Sequence, residues 1–306
     1  MSSPYAVFHQ HLGGLVSIEP ALRKIHAYHG GTVRLLTRSE YAPLAELMPG
    51  VAFAGGLRFA PAHHLYAFDG TGKSALRSLL TPALDKTCLL ADKSQARWFL
   101  SVAYSRVHLP PEEPCHNSEV FWRQTPVPEN GSFAPPRLES PPEDWKPPRM
   151  PPGPFVLISP TGRRPEESWV PSHWHEVFAA LHDGSAPPCA VSTGSLPWQV
   201  QHAQSLAAGF GTAAHWLCGP TSIREFLWLC SRARLVISVD NAAGHLAAAF
   251  GVPSVTLFGP GNLTRSFLPS HLACAIQAGS AKDGLRRISQ IPVAPVTQAA
   301  LDALEH

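Results

Sequence analysis

No run of apolar residues in this 306-residue chain is long enough to cross a bilayer. Charge is scarce as well. Only 15% of residues are charged, and 24 basic residues stand against 22 acidic ones for a net charge of +2. No dense Lys/Arg block appears, so a dedicated nucleic-acid surface is not expected. The six cysteines are scattered without a C-x-x-C pair. Disulfide scaffolds and zinc sites both expect closer pairing, so reduced, mostly buried thiols are expected, with no metal and no cofactor. The opening "MSSPYAVFHQHLGG" has no basic region followed by an apolar core, which reads against a secretory leader and for a cytoplasmic protein.

What the chain does have is proline, 32 residues of it, many between Pro126 and Pro154. Proline this dense cannot continue a helix or enter a central strand, so residues 126–154 read as a semi-rigid linker. On either side, strand-like and helix-like segments alternate. "YAVFHQ", "TVRLLT" and "GVAFAGG" read as strands separated by the helical patterns "IEPALRKIHAY" and "YAPLAELM". From Ala75 to Thr125 the pattern is harder to read, apart from a helix at "SEVFWRQT". After the linker the alternation resumes with "FVLIS", "SHWHEVFAALHDG", "CAVST", "PWQVQHAQSLAAGFG", "AAHWLCG", "SIREFLWLCSRA", "RLVISV", "AGHLAAAFG" and "SVTLFG". These are two α/β halves, an N-terminal one over 1–125 and a C-terminal one over 155–290 on either side of the linker, followed by a terminal helix over 291–306. Ligands of such open sheets bind outside the carboxyl ends of the strands, so the loops after strands are the places to search.

The most informative loop lies in "LVISVDNAAGHLAAAFGVPSVTLFGP". Asp240 and Asn241 fall at the carboxyl end of a strand and before a helix, where either serves as an N-cap. The same geometry permits more. Ala242, Ala243 and Gly244 leave the helix N-terminus open to a phosphate, with unpaired N–H donors and a positive dipole end. His245 sits on the first turn, and Gly259 in "FGPGN" supplies a second glycine-rich turn beside it.

This stretch resembles the signature of the heptosyltransferases, glycosyltransferase family 9, which move heptose from ADP-heptose onto lipopolysaccharide core. The pattern is an acid, small residues, His, a Leu-Ala-Ala run and a strand closing in Phe-Gly-Pro. "TSIREFLWLCSRARLVIS", "PSHWHEVFAAL", "LGGLVSIEPALRKI", "VRLLTRSEYAPLAELMPGV" and "PPRLESPPED" are similar to other parts of that family. The resemblance implies a GT-B fold, two Rossmann-like domains facing across a cleft. It places the nucleotide-sugar donor on the C-terminal domain and a glycan or lipid-linked glycan acceptor mainly on the N-terminal one. It also implies a terminal helix that packs back across the domains, and leaves open a peripheral contact with the inner membrane.

Three positions depart from the family. Its proposed general base, an Asp in the first glycine loop, falls at Gly14, beside Gly13 on the acceptor-side loop. His11 and Glu19 are the nearest groups able to take a proton. The family lysine that neutralises the donor diphosphate falls at Ser168, but the loop "SPTGRRPEES" holds Thr161, Arg163 and Arg164, and guanidinium binds phosphate bidentately. An acidic position that contacts the donor falls near Trp198, whose indole can stack on a base. The expected reaction is inverting transfer from a nucleotide-diphosphate sugar, donor-bound by these residues together with Asp240, Asn241, Ala242, Gly244, His245 and Gly259. The alternatives are a noncatalytic sugar-nucleotide or glycan-binding relative, and a sugar-nucleotide epimerase on the same fold.

Overall fold

The computed structural model describes residues 3–55, 62–128, 131–148, 150, 153–183, 186–208, 215–261, 263–268, 270–279 and 286–305. The chain divides into two compact units, Met1–Glu139 and Ser140–His306.

The first unit is a six-stranded parallel sheet. Its strands are β1 (Tyr5–Val7), β2 (Val33–Leu36), β3 (Val51–Phe53), β4 (Ala62–Ala67), β5 (Ala83–Leu89) and β6 (Arg106–His108). Their spatial order is β3-β2-β1-β4-β5-β6. The helices are α1 (Leu12–Ser17), α2 (Glu19–His29), α3 (Ala42–Glu46), α4 (Gly72–Leu80), α5 (Leu100–Ala103) and α6 (Asn117–Gln124). β1 is buried along its whole length, as a strand covered by helices on both faces must be. α2 begins with Glu19 and Pro20 in its first turn and stops at Gly30, whose φ of 63° is one that glycine adopts without strain.

The second unit repeats the plan. Its strands are β7 (Val156–Ser159), β8 (Cys189–Thr193), β9 (His215–Pro220), β10 (Leu235–Val239), β11 (Ser254–Phe258) and β12 (Ala273–Gln277), in the order β12-β11-β10-β7-β8-β9. The helices are α7 (Pro171–Asp183), α8 (Pro197–Ala208), α9 (Ile223–Arg232), α10 (Ala242–Phe250), α11 (Leu263–Ser266) and α12 (Val293–Glu305). α9 opens with a reciprocal capping box between Ser222 and Glu225, legible in the sequence as S-x-x-E. Counted within each unit, both sheets follow the doubly wound order 3-2-1-4-5-6. The strand order therefore reverses between β1 and β4 in one unit, and between β7 and β10 in the other.

The proline-rich stretch, whose residues 129–130, 149 and 151–152 lie outside the described set, belongs to the first unit up to Glu139 and to the second from Ser140, and is held at several points within each. Arg23 on α2 donates to the carbonyls of Ala134 and Pro135 at 3.1 and 3.0 Å. Further on, Trp228 of α9 donates its indole N–H to Glu143 at 3.3 Å, and Lys146 lies over the same ring. The terminal helix α12 buries Val296 and Ala300 in the core of the second unit, against α7 and its strands. Its apolar face matches that core, where Trp169, Trp174 and Phe178 are also buried.

Candidate functional site

The two switch points are built in the same way. In the second unit, the side chain of Asn241 spans the gap between β10 and β7. Its amide nitrogen donates to the Ser159 carbonyl at 3.2 Å, the Ser159 hydroxyl at 3.0 Å and the Thr161 carbonyl at 3.0 Å. Its oxygen accepts from the N–H of Ala243 at 2.8 Å, capping α10. Asn241 is thus fully committed to structure. Asp240, the other candidate cap, is released from that duty.

Among the described residues no hydrogen bond ends on the Asp240 carboxylate. Burial, and then the negative charge of Glu167, push its pKa up from 3.8 to about 6. It lines a small concavity with Gly244, His245, Thr256, Phe258 and Phe267. Ala242 is half-buried at the start of α10. The two glycines serve close packing. A Cβ on Gly244 would lie 2.6 Å from Thr256 Oγ1, so the missing side chain is what lets α10 sit on the sheet. A Cβ on Gly259 would lie 3.3 Å from the backbone nitrogen of Ile288. Their smallness admits neighbouring protein.

The loop after β7 is a tight turn around Glu167. The backbone N–H groups of Arg163 and Arg164 donate to Glu167 Oε2 at 2.9 and 3.3 Å, and the Arg164 guanidinium pairs with Oε1 at 3.0 Å. Arg164 is therefore partly neutralised. Arg163 is exposed and has no acidic partner among the described residues. Ser168 is buried, and its hydroxyl accepts from the N–H of Gly162 at 3.3 Å, which makes it part of the turn and not a substitute for a lysine. Thr161 is buried, with its carbonyl held by Asn241. Trp198 lies half-buried on the first turn of α8.

In the first unit the bridge is Asp69, buried at the end of β4. Its carboxylate accepts from His9 N–H at 2.8 Å, from Thr71 N–H and hydroxyl at 2.9 and 2.6 Å, and from the Ser74 hydroxyl at 2.8 Å. His9 is buried, and its Nε2 has no partner among the described residues. Burial, and then Arg77, push its pKa down to about 4, so the ring is neutral near pH 7. Sequence reasoning passed over His9 and Asp69. The only signal was a histidine and an acid each just past a strand end, 60 residues apart.

Gly13 and Gly14 lie in the short helix α1, not in a loop. His11 is the N-cap of that helix: its Nδ1 accepts from the Gly14 N–H at 3.0 Å. A Cβ on Gly14 would meet Phe8 Cζ at 2.8 Å and His11 Cε1 at 3.0 Å. The imidazole of His11 thus stands beside the space where a side chain at position 14 would begin. Glu19 is corrected from base to anchor. It is 1% exposed, pairs with Arg23 Nε at 3.1 Å and accepts from the Arg137 N–H at 3.1 Å, fixing the proline-rich segment to α2. Burial raises its pKa, while Arg23 opposes the shift.

Two doubly wound parallel-sheet units make up the fold of the GT-B glycosyltransferases. The model of glycosyltransferase family 9 (heptosyltransferase) matches residues 68–281, and the chain belongs to that family. It is 28% identical over 112 residues to lipopolysaccharide heptosyltransferase 1 of Escherichia coli K12, covering 35% of this chain and 33% of that protein. Against lipopolysaccharide heptosyltransferase 1 of Pseudomonas aeruginosa the identity is 34% over 100 residues, 31% of this chain and 27% of that one. The chain thus spans about a third of the length of the curated relatives it matches. In fold the likeness extends over nearly the whole chain. The E. coli heptosyltransferase WaaC with ADP superimposes with a TM-score of 0.77 at 18% identity, covering 99% of this chain and 100% of that one. E. coli ADP-heptose lipopolysaccharide heptosyltransferase II gives 0.80 at 17% identity, covering 99% and 98%. Among the described residues no helix is long and apolar enough to cross a membrane.

Proposed function

We propose that the chain is an inverting glycosyltransferase. It moves heptose or a related sugar from a nucleotide-diphosphate donor, ADP-linked, to a glycan or lipid-linked glycan acceptor. The observation that carries this reading is the carboxyl edge of the second sheet. There Asn241 caps α10, so the helix N-terminus, Asp240 without a hydrogen-bond partner among the described residues, and the exposed Arg163 are left for a ligand.

In the reaction, an acceptor hydroxyl oxygen attacks the anomeric carbon as the bond from that carbon to the diphosphate oxygen breaks. The helix N-terminus and Arg163 stabilise the charge that builds on the departing diphosphate. The hydroxyl proton goes to Nε2 of His11, the candidate base that reaches solvent. While Nδ1 accepts from Gly14, a neutral ring carries its proton on Nε2. To act as a base, His11 therefore has to move its own proton to Nδ1 and give up the cap bond when the acceptor binds.

That requirement favours a second reading, a relative that holds the nucleotide sugar without transferring it. The test is release of ADP from ADP-heptose, with and without a heptose-free lipopolysaccharide acceptor, alongside calorimetric binding of ADP. Turnover supports transfer. Binding without turnover supports the second reading, and no binding removes both.

A further inference from the structure

The first unit half-buries a cation that no acid among the described residues pairs with. Arg77 lies on α4, and its Nη1 is buried without a hydrogen-bond partner among the described residues. It has a companion. His9, just past the end of β1, is 6% exposed, and its Nε2 is buried and unpartnered in the same way.

The fold brings these two groups together. Val7 of β1 and Leu36 of β2 are paired in register and enter the core with Ala75 of α4, so theirs is the sheet face that α4 covers. Side chains alternate along an extended chain, and two residues further on His9 and Arg38 return to that face. From the helix side, Asp69 Oδ2 accepts both the His9 N–H and the Ser74 hydroxyl, each at 2.8 Å. Arg77 follows Ser74 by three residues on the same face of α4, and helical side chains lean back toward the N-terminus. The charges that act on His9 are accordingly those of Arg77, Asp69, Arg38 and Lys73.

Three cations thus face His9 against one acid, and that acid is already engaged. Asp69 accepts from His9, from Ser74 and twice from Thr71. Arg38 pairs with Glu40 at 3.3 Å, and Lys73 is exposed. Arg77 and His9 are left with unmet hydrogen-bonding capacity just below the surface. Buried polar groups are satisfied almost without exception, and a desolvated cation is costly until an opposite charge meets it. A buried water would satisfy the hydrogen bonds and leave the charge unmet.

We propose that Arg77 and His9 hold an oxyanion, a carboxylate or phosphate group, at the carboxyl edge of the first sheet. The guanidinium supplies the charge and a fork of donors. His9, neutral near pH 7, donates through Nε2 in the tautomer that carries its proton there. Every group in the site belongs to the first unit, and the inference does not require the transfer reaction.

The experiment is thermal denaturation and histidine NMR of the full chain in chloride, sulfate or acetate at matched ionic strength. It compares wild type, Arg77→Gln and Arg77→Lys, with His9→Gln to identify the His9 resonances. Sulfate stands for a phosphate group and acetate for a carboxylate. At least one of them should raise the wild-type melting temperature and lift the His9 pKa from about 4 toward the ordinary histidine range, since an adjacent anion favours imidazolium. Arg77→Gln should bind that anion at least about tenfold more weakly, and Arg77→Lys should keep part of the effect. In chloride, Arg77→Gln should melt no lower than wild type, because an unpaired, desolvated charge has been removed. Equal stabilisation of wild type and Arg77→Gln would be a general salt effect and overturns the inference. So does an Arg77→Gln chain that melts well below wild type in chloride, which would make Arg77 structural. Wild type whose His9 resonances respond to neither anion overturns it whether or not the variants fold. Calorimetric ADP binding on the same samples tests the donor reading separately, and a His9 response to ADP alone would assign the pair to the donor and overturn the inference.

Discussion

The side chain of Asn241 holds the carbonyl of Thr161 at 3.0 Å across the second sheet's switch point while it caps α10 through Ala243 at 2.8 Å. One residue therefore fixes both walls of the candidate donor edge. Asn241→Ala removes a cap, worth about 1 kcal/mol, and strands partly buried acceptors at Ser159 and Thr161 for about 1–3 kcal/mol more. Asn241→Asp keeps the cap oxygen and loses the three donor bonds. Urea denaturation should rank the stabilities as wild type, then Asp, then Ala, and ADP affinity should fall in both variants.

Asp240 gives a pH signature. Its pKa is raised from 3.8 to about 6 in the folded chain, chiefly by burial. Between those values the folded state binds more protons than the unfolded state, so this group's contribution falls as pH rises from about 4 through 6. Ionisation there costs about 2–3 kcal/mol at neutral pH. Asp240→Asn should therefore be more stable than wild type at pH 7.5 by an amount of that order, with the gap closing below pH 4. Denaturation curves across pH 3.5–8 in ~0.5-unit steps resolve it. An equal offset at every pH would mean that Asp240 is not perturbed.

Position 14 has no room for the family's acid. Gly14→Asp sets a Cβ against Phe8 and His11 and should cost about 1–3 kcal/mol. Adding His11→Ala vacates one side of the clash, so the double variant should recover part of the loss despite removing a cap. A double-mutant cycle by thermal denaturation measures that coupling, expected to be at least about 0.5 kcal/mol and favourable.

Glu19→Gln distinguishes an anchor from a base. The substitution leaves Arg23 without its carboxylate, and partial exposure of the arginine limits the cost to about 1–3 kcal/mol. The melting temperature should drop while kcat stays within about twofold, since nothing is removed from the reacting atoms. A large loss in kcat with an unchanged melt would restore Glu19 to catalysis.

Much of this was legible because period and punctuation agree with the fold. The βαβαβ start and the strand–turn–helix order of the Asp240–Gly259 segment follow local rules. The stretch from Ala75 to Thr125 was not, and α4 shows why. It buries Ser74 and Ser78 and exposes Leu76, Leu79 and Leu80, the reverse of an ordinary core-facing helix. Gly13-Gly14 reads as a loop because glycine is a poor helix former, yet the pair lies in α1, capped by His11 through the Gly14 N–H. The assignment of the cap to Asn241 and not Asp240 depends on contacts 80 residues away. The Asp69–His9 bridge is likewise invisible until the two strands pair.

The most direct test of the central claim is single-turnover release of ADP from ADP-heptose, in the presence of heptose-free lipopolysaccharide, by wild type and His11→Ala. The account predicts product with wild type and a loss of at least about a hundredfold in His11→Ala, with ADP affinity unchanged. Wild type that binds ADP-heptose yet releases no ADP, or a His11→Ala variant that turns over like wild type, would contradict it.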